Sequence, residues 1–344
     1  MIRSRRISIA ARVGMTIAAA VVLAPAAGLS AETAASIQYE FITRPAGLSS
    51  DFTPADGAAV KFLALRAIDG STLEASLWQP DAKPAAEATL VVMVHGSGGS
   101  YRRAPQSGLG RRLIANGYAS LAIDTRQHDE AINTDNFFDV RRDIEAAVAT
   151  GRALGYRRLV LLGHSLGNIQ VQFYAATTWD RDIKAAVLLG AFANLPWKSR
   201  SILVQNEDSY KSLIEAAMKS LRDGTLDKVL PVKMRYLTGQ DAAVTGQHVL
   251  TYRWDKSSVA DGTYWIHRIP LPILLVRDEA DGVVLPFEPH ALLAAAHGEG
   301  SLVPSIDFVL LADRQPPSLR GHSFEGNEQP LADTVTKWLS DLRL

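Results

Sequence analysis

The first apolar stretches of the mature sequence have the pattern of paired antiparallel strands. Residues 60–67 are mostly apolar and rich in strand-forming side chains. Asp69 and Gly70 follow as a turn signal. Residues 71–78 then alternate between apolar and polar side chains, which places the apolar ones on one face of a strand. The pattern predicts an antiparallel pair at the start of the fold.

From residue 89 the pattern changes to alternating strands and helices. Residues 89–94 form a continuous apolar run, typical of a parallel strand buried on both faces, and further strands are predicted at residues 118–123, 158–162 and 183–189. Helices are predicted between them, at residues 109–116, 140–148 and 168–177. Such alternation predicts an α/β fold with a mostly parallel central sheet and helices on both faces.

The alternation stops in residues 194–268, which we interpret as an insertion over the sheet. This stretch has a helical piece at residues 210–221 and seven aromatic side chains, Trp197, Tyr210, Tyr236, Tyr252, Trp254, Tyr264 and Trp265. Strands resume at residues 271–276 and 306–311, and helices at residues 289–296 and 331–342. We therefore divide the chain into a leader at residues 1–31, a first core part at 32–193, a mainly helical cap at 194–268 and a second core part at 269–344.

Residues 1–31 have the layout of a secretory signal peptide. Arg3, Arg5 and Arg6 form a charged start, an apolar stretch follows at residues 13–23, and small residues supply cleavage sites after Ala26 or Ala31. The apolar stretch is too short for a typical membrane span, and an uncleaved membrane anchor is the alternative. We expect an exported protein, periplasmic or secreted, with no stable membrane span once the signal is removed.

Composition excludes several classes of protein. The chain has 344 residues, no net charge and no cysteine, which excludes disulfides, a cysteine nucleophile and a lipid anchor on cysteine. No basic run lies outside the N-terminus, so nucleic-acid binding is not expected. The eight histidines show no metal-ligand spacing, and we expect neither a metal nor another cofactor. The sequence leaves the oligomeric state open.

The first candidate catalytic motif is a G-x-S-x-G segment, Gly163-His164-Ser165-Leu166-Gly167, which directly follows a predicted buried strand. A serine on a sharp turn at the carboxyl end of a strand projects its hydroxyl above the sheet, and small neighbours are needed in so tight a turn. The pentapeptide also occurs by chance, so a loop with a solvated serine is the alternative.

A glycine-rich segment, His95-Gly96-Ser97-Gly98-Gly99, follows the strand at residues 89–94. Because catalytic groups gather at the carboxyl ends of parallel strands, the N–H of Ser97 or Gly98 is a candidate oxyanion donor together with the N–H of Leu166. A phosphate-binding loop and a plain glycine turn are alternatives, although neither a G-x-G-x-x-G nor a Walker lysine is present.

Candidates for the two remaining members of a serine triad follow later predicted strands. Asp278, Glu279 and Asp281 crowd the end of the strand at residues 271–276, and a Gly-flanked His322 follows the last strand. A histidine titrates near neutrality and suits proton transfer, while an acid orients its ring. Taken singly, a solvated acidic turn and a surface histidine are the alternatives.

The order serine, acid, histidine at successive strand ends resembles the α/β-hydrolase superfamily, and more narrowly its serine esterases and lipases with a cap. The resemblance extends from about residue 60 to the C-terminus. It implies Ser165 as nucleophile, His322 as base and Asp281 as triad acid, with Asp278 as runner-up because it stands where the family often has glycine. It also implies an acyl-enzyme mechanism without a cofactor.

Substrate clues are fewer. We expect a small-molecule or lipid-like carboxylic ester, with amide or lactone hydrolysis, acyl transfer and a non-catalytic binding protein as alternatives. The cap aromatics either line an apolar pocket or form the core of the cap, and we favour the core for most of them. Candidate substrate-binding residues near the glycine-rich segment and the next strand end are His95, Tyr101, Arg102 and Arg126. An arginine here, Arg103 included, binds a substrate carboxylate or is simply solvated.

Overall fold

A nine-stranded sheet organises the described part of the chain. The computed structural model describes residues 38–53, 58–81, 83–204, 206–235, 239 and 241–344; the predicted signal peptide lies outside them. The strands are β1 (Gln38–Ile42), β2 (Ala58–Arg66), β3 (Thr72–Pro80), β4 (Thr89–Val94), β5 (Ala119–Ile123), β6 (Arg158–His164), β7 (Ile183–Leu189), β8 (Met234–Arg235), β9 (Asp241–Ala242), β10 (Ile273–Asp278) and β11 (Ile306–Leu311). Their order in the main sheet is β1-β2-β3-β5-β4-β6-β7-β10-β11. Pairs from β1 to β5 in this order are antiparallel, and the others are parallel.

Helices connect the parallel strands and build the cap. They are α1 (Gln106–Ala115), α2 (Val140–Ala153), α3 (Leu166–Thr178), α4 (Leu195–Lys198), α5 (Glu207–Arg222), α6 (Gly246–His248), α7 (Gly262–Ile266), α8 (Phe287–Ala296), α9 (Leu319–His322) and α10 (Glu328–Asp341). One turn of π-helix continues α4 through Ser199–Leu203, and a second continues α6 through Val249–Arg253.

Both faces of the sheet are covered, as the apolar runs predict. In β4 every side chain is buried. Leu90, Val92 and Val94 belong to the core cluster that includes residues of α2, α3 and α8. Val91 and Met93 point to the opposite face, into the cluster formed with α1 and α10. Alternate residues of one strand thus pack into two layers, since successive side chains of a strand point to opposite faces.

The cap has a hydrophobic core of its own. Its buried cluster is built from α5, strand β8, the second π-helical turn and the loops between them. It contains Val204, Tyr210, Leu213, Ala217, Leu230, Met234, Val244, Val249 and Leu250. Two other predicted cap aromatics, Tyr252 and Trp265, pack into the main core, while Trp197 and Tyr264 are partly exposed. Tyr236 lies outside the described residues.

The predicted fold class is confirmed, with local differences. Strands β4, β7 and β11 have the predicted bounds. Strand β6 extends two residues beyond its apolar run, because Gly163 and His164 still pair with β7. Strand β1 was not predicted, since this short edge strand has exposed side chains on both faces and lacks a continuous apolar run. The bounds proposed for leader, core parts and cap stay predictions.

Candidate active site

Ser165 occupies a sharp turn between β6 and α3. Its backbone has φ 53° and ψ −121°, a conformation that costs roughly 1–3 kcal/mol for a residue with a side chain. The neighbouring glycines make the turn possible. A Cβ on Gly163 would lie 2.5 Å from the carbonyl oxygen of Gly167, and one on Gly167 would lie 2.5 Å from that of Val94. The turn therefore accepts no side chain at either glycine.

His322 forms a buried pair with Asp281. The Nδ1 of His322 lies 3.0 Å from Oδ2 of Asp281. The other carboxylate oxygen accepts hydrogen bonds from the backbone N–H groups of Val283 (2.8 Å) and Val284 (2.9 Å). Burial alone would raise the pKa of Asp281, but these bonds and His322 hold it below its ordinary value. Ionised Asp281 orients the ring with Nδ1–H towards itself, which leaves Nε2 as the proton acceptor.

Asp278, the other candidate acid, serves a different purpose in the structure. Its Oδ1 accepts from the N–H of Ala280 at 2.8 Å, and its Oδ2 accepts from the side-chain amide of Asn327 at 2.8 Å. Burial raises its pKa. Asp278 thus shapes the turn that carries Asp281, and it is Asp281 that contacts His322.

Two residues that the sequence reasoning missed shape the surroundings of His322: His164 bonds to it, and Gly190 leaves room for its ring. The Nε2 of His164 donates to the backbone carbonyl of His322 at 2.9 Å, and the two rings lie 4.9 Å apart. Burial, followed by the nearby His322, lowers the pKa of His164 to about 3, so this ring is neutral near pH 7. Gly190 follows β7 with φ +54°, and a Cβ there would lie 3.1 Å from Cε1 of His322. The sequence did contain a signal for each residue: His164 occupies the first variable position of the G-x-S-x-G motif, and Gly190 is a glycine at the end of a strand.

The glycine-rich segment forms a tight turn beside Ser165. The N–H of Gly99 donates to the carbonyl of Gly96 at 3.0 Å, and Gly98 has φ +61°. His95 anchors this turn: its Nδ1 lies 2.6 Å from the carbonyl oxygen of Gly96, and its Nε2 accepts from the N–H of Thr125 at 2.9 Å. Burial lowers the pKa of His95 to about 4, so the ring is neutral and both nitrogens are engaged.

A cavity of about 740 Å³ opens above Ser165 and His322. The candidate oxyanion residues Ser97, Gly98 and Leu166 also line it. In the described part of the chain, the Ser165 hydroxyl makes no hydrogen bond to the His322 ring, as is common before substrate binds. The other walls include side chains that the sequence reasoning did not select, among them Gln106, Ile132, Phe192, Leu195, Lys198, Leu203 and Arg253.

The four predicted substrate-binding residues do not line this cavity. His95 holds the glycine turn, as described above. Tyr101 is buried against Phe52 and Phe62. Arg102 pairs with Glu74, and Arg126 pairs with Asp69 and Asp143. Arg103 does line the cavity and pairs with Asp129. Sequence proximity to a strand end did not show which way each side chain points.

Neither a metal cluster nor a membrane-spanning helix is found in the described ranges. No group of three or more His, Cys, Asp or Glu side chains there is arranged to hold a metal ion. No helix in the same ranges combines the length and the apolar character that crossing a bilayer needs.

The family profile described as "Serine aminopeptidase, S33" matches residues 85–302. The chain belongs to this family. The match includes the glycine turn, the Ser165 elbow, the cap and Asp281, and it ends before His322. The predicted membership of the α/β-hydrolase superfamily is therefore confirmed. No curated protein sequence matches this family member significantly.

Solved structures with the same fold include proteins named esterases. The ferulic acid complex of Est1E from Butyrivibrio proteoclasticus is 20% identical with TM-score 0.58, over 79% of this chain and 96% of that one. A hypothetical protein from Pseudomonas aeruginosa is 16% identical with TM-score 0.63, over 88% and 99%. A thermostable carboxyl esterase from Bacillus coagulans is 13% identical with TM-score 0.58, over 83% and 99%. At these identities the likeness establishes the fold.

Proposed function

We propose that this S33 family member is a serine hydrolase that cleaves carboxylic esters through an acyl-enzyme. The observation that carries the proposal is the meeting of three groups at one cavity. Ser165 stands on a strained turn, His322 is held by Asp281, and the N–H of Leu166 begins helix α3. The esterases among the structural neighbours support the ester as the bond that is cleaved.

The arrangement suits a two-step acyl transfer. In the first step Nε2 of His322 takes the proton of the Ser165 hydroxyl as its oxygen attacks the ester carbonyl. The carbonyl oxygen becomes an oxyanion, which the N–H of Leu166 and that of Ser97 or Gly98 stabilise. The protonated histidine then gives its proton to the departing alcohol.

In the second step the same histidine activates a water. The water attacks the acyl carbon, its proton passes to Nε2, and Ser165 leaves with that proton. Asp281 stays ionised throughout and stabilises the imidazolium. Each oxyanion donor contributes about 3 kcal/mol to lowering the barrier, by the measured effect of removing one such donor elsewhere.

A fluorophosphonate probe tests the nucleophile. We expect covalent labelling of the wild type and of a surface control, Ser340→Ala, but not of Ser165→Ala. Equal labelling of Ser165→Ala and wild type, with both folded by circular dichroism, would contradict the assignment. A series of p-nitrophenyl esters of increasing acyl length then measures which chain the cavity accepts.

Amide hydrolysis is the second candidate function, and the family description favours it. Aminoacyl p-nitroanilides measured beside the p-nitrophenyl esters separate the two. A kcat/KM for any anilide above that for the best ester would replace the ester proposal with the peptidase one.

We also propose that residues 1–31 direct export. The basis is the arginine-rich start, the short apolar stretch and the small residues before Ala26 and Ala31. Fractionation of bacteria expressing the full chain, with N-terminal sequencing of the exported protein, tests this. An uncleaved N-terminus in the cytoplasmic fraction would overturn it.

A further inference from the structure

One wall of the cavity above Ser165 is apolar. It is built by Phe192, which follows β7, and by Leu195 and Leu203 of the cap. All three are buried and belong to the core cluster on the α3 and α8 face of the sheet. Their side chains offer neither a donor nor an acceptor. This wall therefore suits a hydrocarbon part of the substrate.

A second wall is polar and comes from the opposite face of the sheet. Gln106 begins helix α1, and Ser323 directly follows the last residue of α9. Leu109 of α1 and Phe324, the residue after Ser323, both pack into the core cluster on the α1 and α10 face. A ligand at Ser165 thus has apolar contacts available from one face of the sheet and polar contacts from the other.

The side-chain amide of Gln106 is held in one orientation but is only half used. Gln106 is 2% exposed, and its Nε2 donates to the backbone carbonyl of Val94 at 3.4 Å. Because a carbonyl only accepts, this bond shows which end of the amide is the nitrogen. Oε1 accepts no hydrogen bond from any residue that the structure describes. Leaving a buried amide oxygen without a donor is costly, and a donor on a bound ligand removes that cost.

The hydroxyl of Ser323 is also unengaged within the described part of the chain. The backbone N–H of Ser323 donates to the carbonyls of Leu319 and Arg320, whereas Oγ makes no hydrogen bond in that part. A hydroxyl is both a donor and an acceptor, so it bonds to a ligand hydroxyl in either direction. Ser323 is the chain neighbour of His322, which places this hydroxyl beside the catalytic histidine.

Three of the charged side chains at the cavity have partners of opposite charge within the protein. The pairs are Lys198 with Glu288, Arg103 with Asp129 and Glu325 with Arg320. The first pair is buried, and the other two are partly exposed, so that water screens them. Gln106 and Ser323 are neutral, so the polar wall favours an uncharged hydrogen-bonding group of the substrate.

From this arrangement we infer that Gln106 and Ser323 bind a hydroxyl group of the substrate, so that the preferred esters combine an apolar part with a hydroxyl-bearing part. A substrate hydroxyl donates to Oε1 of Gln106, and Ser323 bonds to the same hydroxyl or to a neighbouring one. A site built to hydrogen-bond a hydroxyl rejects the analogue that lacks it, since the protein's own polar atom is then left unpaired. The inference rests on the proposed ester hydrolysis and names its substrate class.

Matched ester pairs test the inference and distinguish the two positions of the hydroxyl. For the alcohol part, 2-hydroxyethyl hexanoate is compared with propyl hexanoate. For the acyl part, ethyl 6-hydroxyhexanoate is compared with ethyl heptanoate. In each pair a hydroxyl replaces a methyl group, and the acid released is titrated at constant pH. The readout is the ratio of kcat/KM for the hydroxylated ester to that for its methyl analogue, which cancels any loss of folded enzyme.

Substitutions in the polar wall should lower that ratio for one of the pairs. Gln106→Met keeps the length of the side chain and removes Oε1, and we expect a fall of about 3- to 10-fold, the range for one hydrogen bond between uncharged groups. Ser323→Ala should lower the ratio for the same pair. The control is Gln172→Met, because Gln172 of α3 is equally buried and does not line the cavity. Its ratio should stay within about twofold of the wild type, and unchanged ratios for both pairs in either wall variant would overturn the inference.

Calorimetry in the Ser165→Ala background separates binding from catalysis, because the four esters then stay intact. We expect Gln106→Met in this background to weaken binding of the hydroxylated ester relative to its methyl analogue, and an unchanged ratio of Kd values for both pairs would overturn the inference. Hydrolysis of all four esters with a ratio that ignores Gln106→Met would refute this inference alone. No hydrolysis of any ester, together with hydroxyl-dependent binding that Gln106→Met abolishes, would refute the proposed function alone.

Discussion

At the scale of single residues, two aspartates three positions apart have separate tasks. Asp281 holds the His322 ring, while Asp278 holds the turn and the side chain of Asn327. The sequence reasoning identified both and ranked them by family resemblance. Their contacts supply the physical distinction, because only the geometry of the turn shows which carboxylate points at the ring.

Exchange of each aspartate for asparagine is expected to separate these tasks. Asp281→Asn removes the charge that stabilises the imidazolium, and kcat should fall about 10³- to 10⁴-fold. Asp278→Asn should keep most of kcat and lose about 1 kcal/mol of unfolding free energy, since one hydrogen bond to Asn327 is lost. Steady-state kinetics and urea unfolding measure the two effects. A larger kcat loss in Asp278→Asn would reverse the assignment.

A methyl group at Gly96 tests how closely the glycine turn approaches the nucleophile. Its Cβ would lie 2.8 Å from Cβ of Ser165, so we expect Gly96→Ala to displace the serine and lower kcat more than 100-fold. The control is Gly108→Ala in helix α1, where the nearest atom is the flexible end of Arg112. The control should stay active and as stable as wild type or more so. Full activity of Gly96→Ala would show that the glycine turn can shift to accept a methyl group without displacing Ser165.

At the scale of elements, the sequence predicted the sheet well and the cap poorly. Strands buried on both faces, such as β4, carry continuous apolar runs between turn signals, and this pattern predicts them from the sequence. The cap consists of short helices, π-helical turns and the two-residue strands β8 and β9, whose form is set by tertiary contacts. The cavity-lining Lys198 and Arg253 belong to these segments, so local pattern gave no sign of them.

The buried pair that joins the cap to helix α8 is expected to matter for stability. In Lys198→Met the Glu288 carboxylate loses its cation in a buried site, which should cost about 3–5 kcal/mol of unfolding free energy. The double variant Lys198→Met with Glu288→Gln should recover much of that loss, because no charge is left unpaired. Urea denaturation of both single variants and the double variant measures the coupling. Additive losses would show that the two groups act independently.

At the scale of the whole molecule, three buried neutral histidines, His95, His164 and His248, make stability depend on pH. The folded-state pKa is about 4 for His95 and about 3 for His164, below the value of about 6.5 in unfolded chains. As pH falls below 6.5, the unfolded state binds protons that the folded state does not bind until pH approaches 4 or 3. Acid therefore favours unfolding in this window.

The expected slope is about 1.4 kcal/mol of unfolding free energy per pH unit for each histidine between its two pKa values. Asp281, whose pKa is depressed in the folded state, adds a further loss only below the ordinary pKa of aspartate. Urea unfolding at pH 7, 6 and 5 measures the slope. Asp124 and Asp135, whose pKa values burial raises to about 6 and about 7, oppose this slope in the same window, so the wild type is compared with His95→Gln. An equal slope in both would contradict the neutral, buried state of His95.

The separate hydrophobic cluster of the cap bears on how such an enzyme diversifies. Ser165, Asp281 and His322 all come from the sheet side, whereas Lys198, Leu203 and Arg253 enter the cavity from the cap. Mutations that accumulate in the cap can alter the shape and charge of the chamber while the reacting groups keep their places. Selection for a new ester substrate would thus act first on the cap residues that line the chamber, and descendants would share one chemistry while differing in substrate.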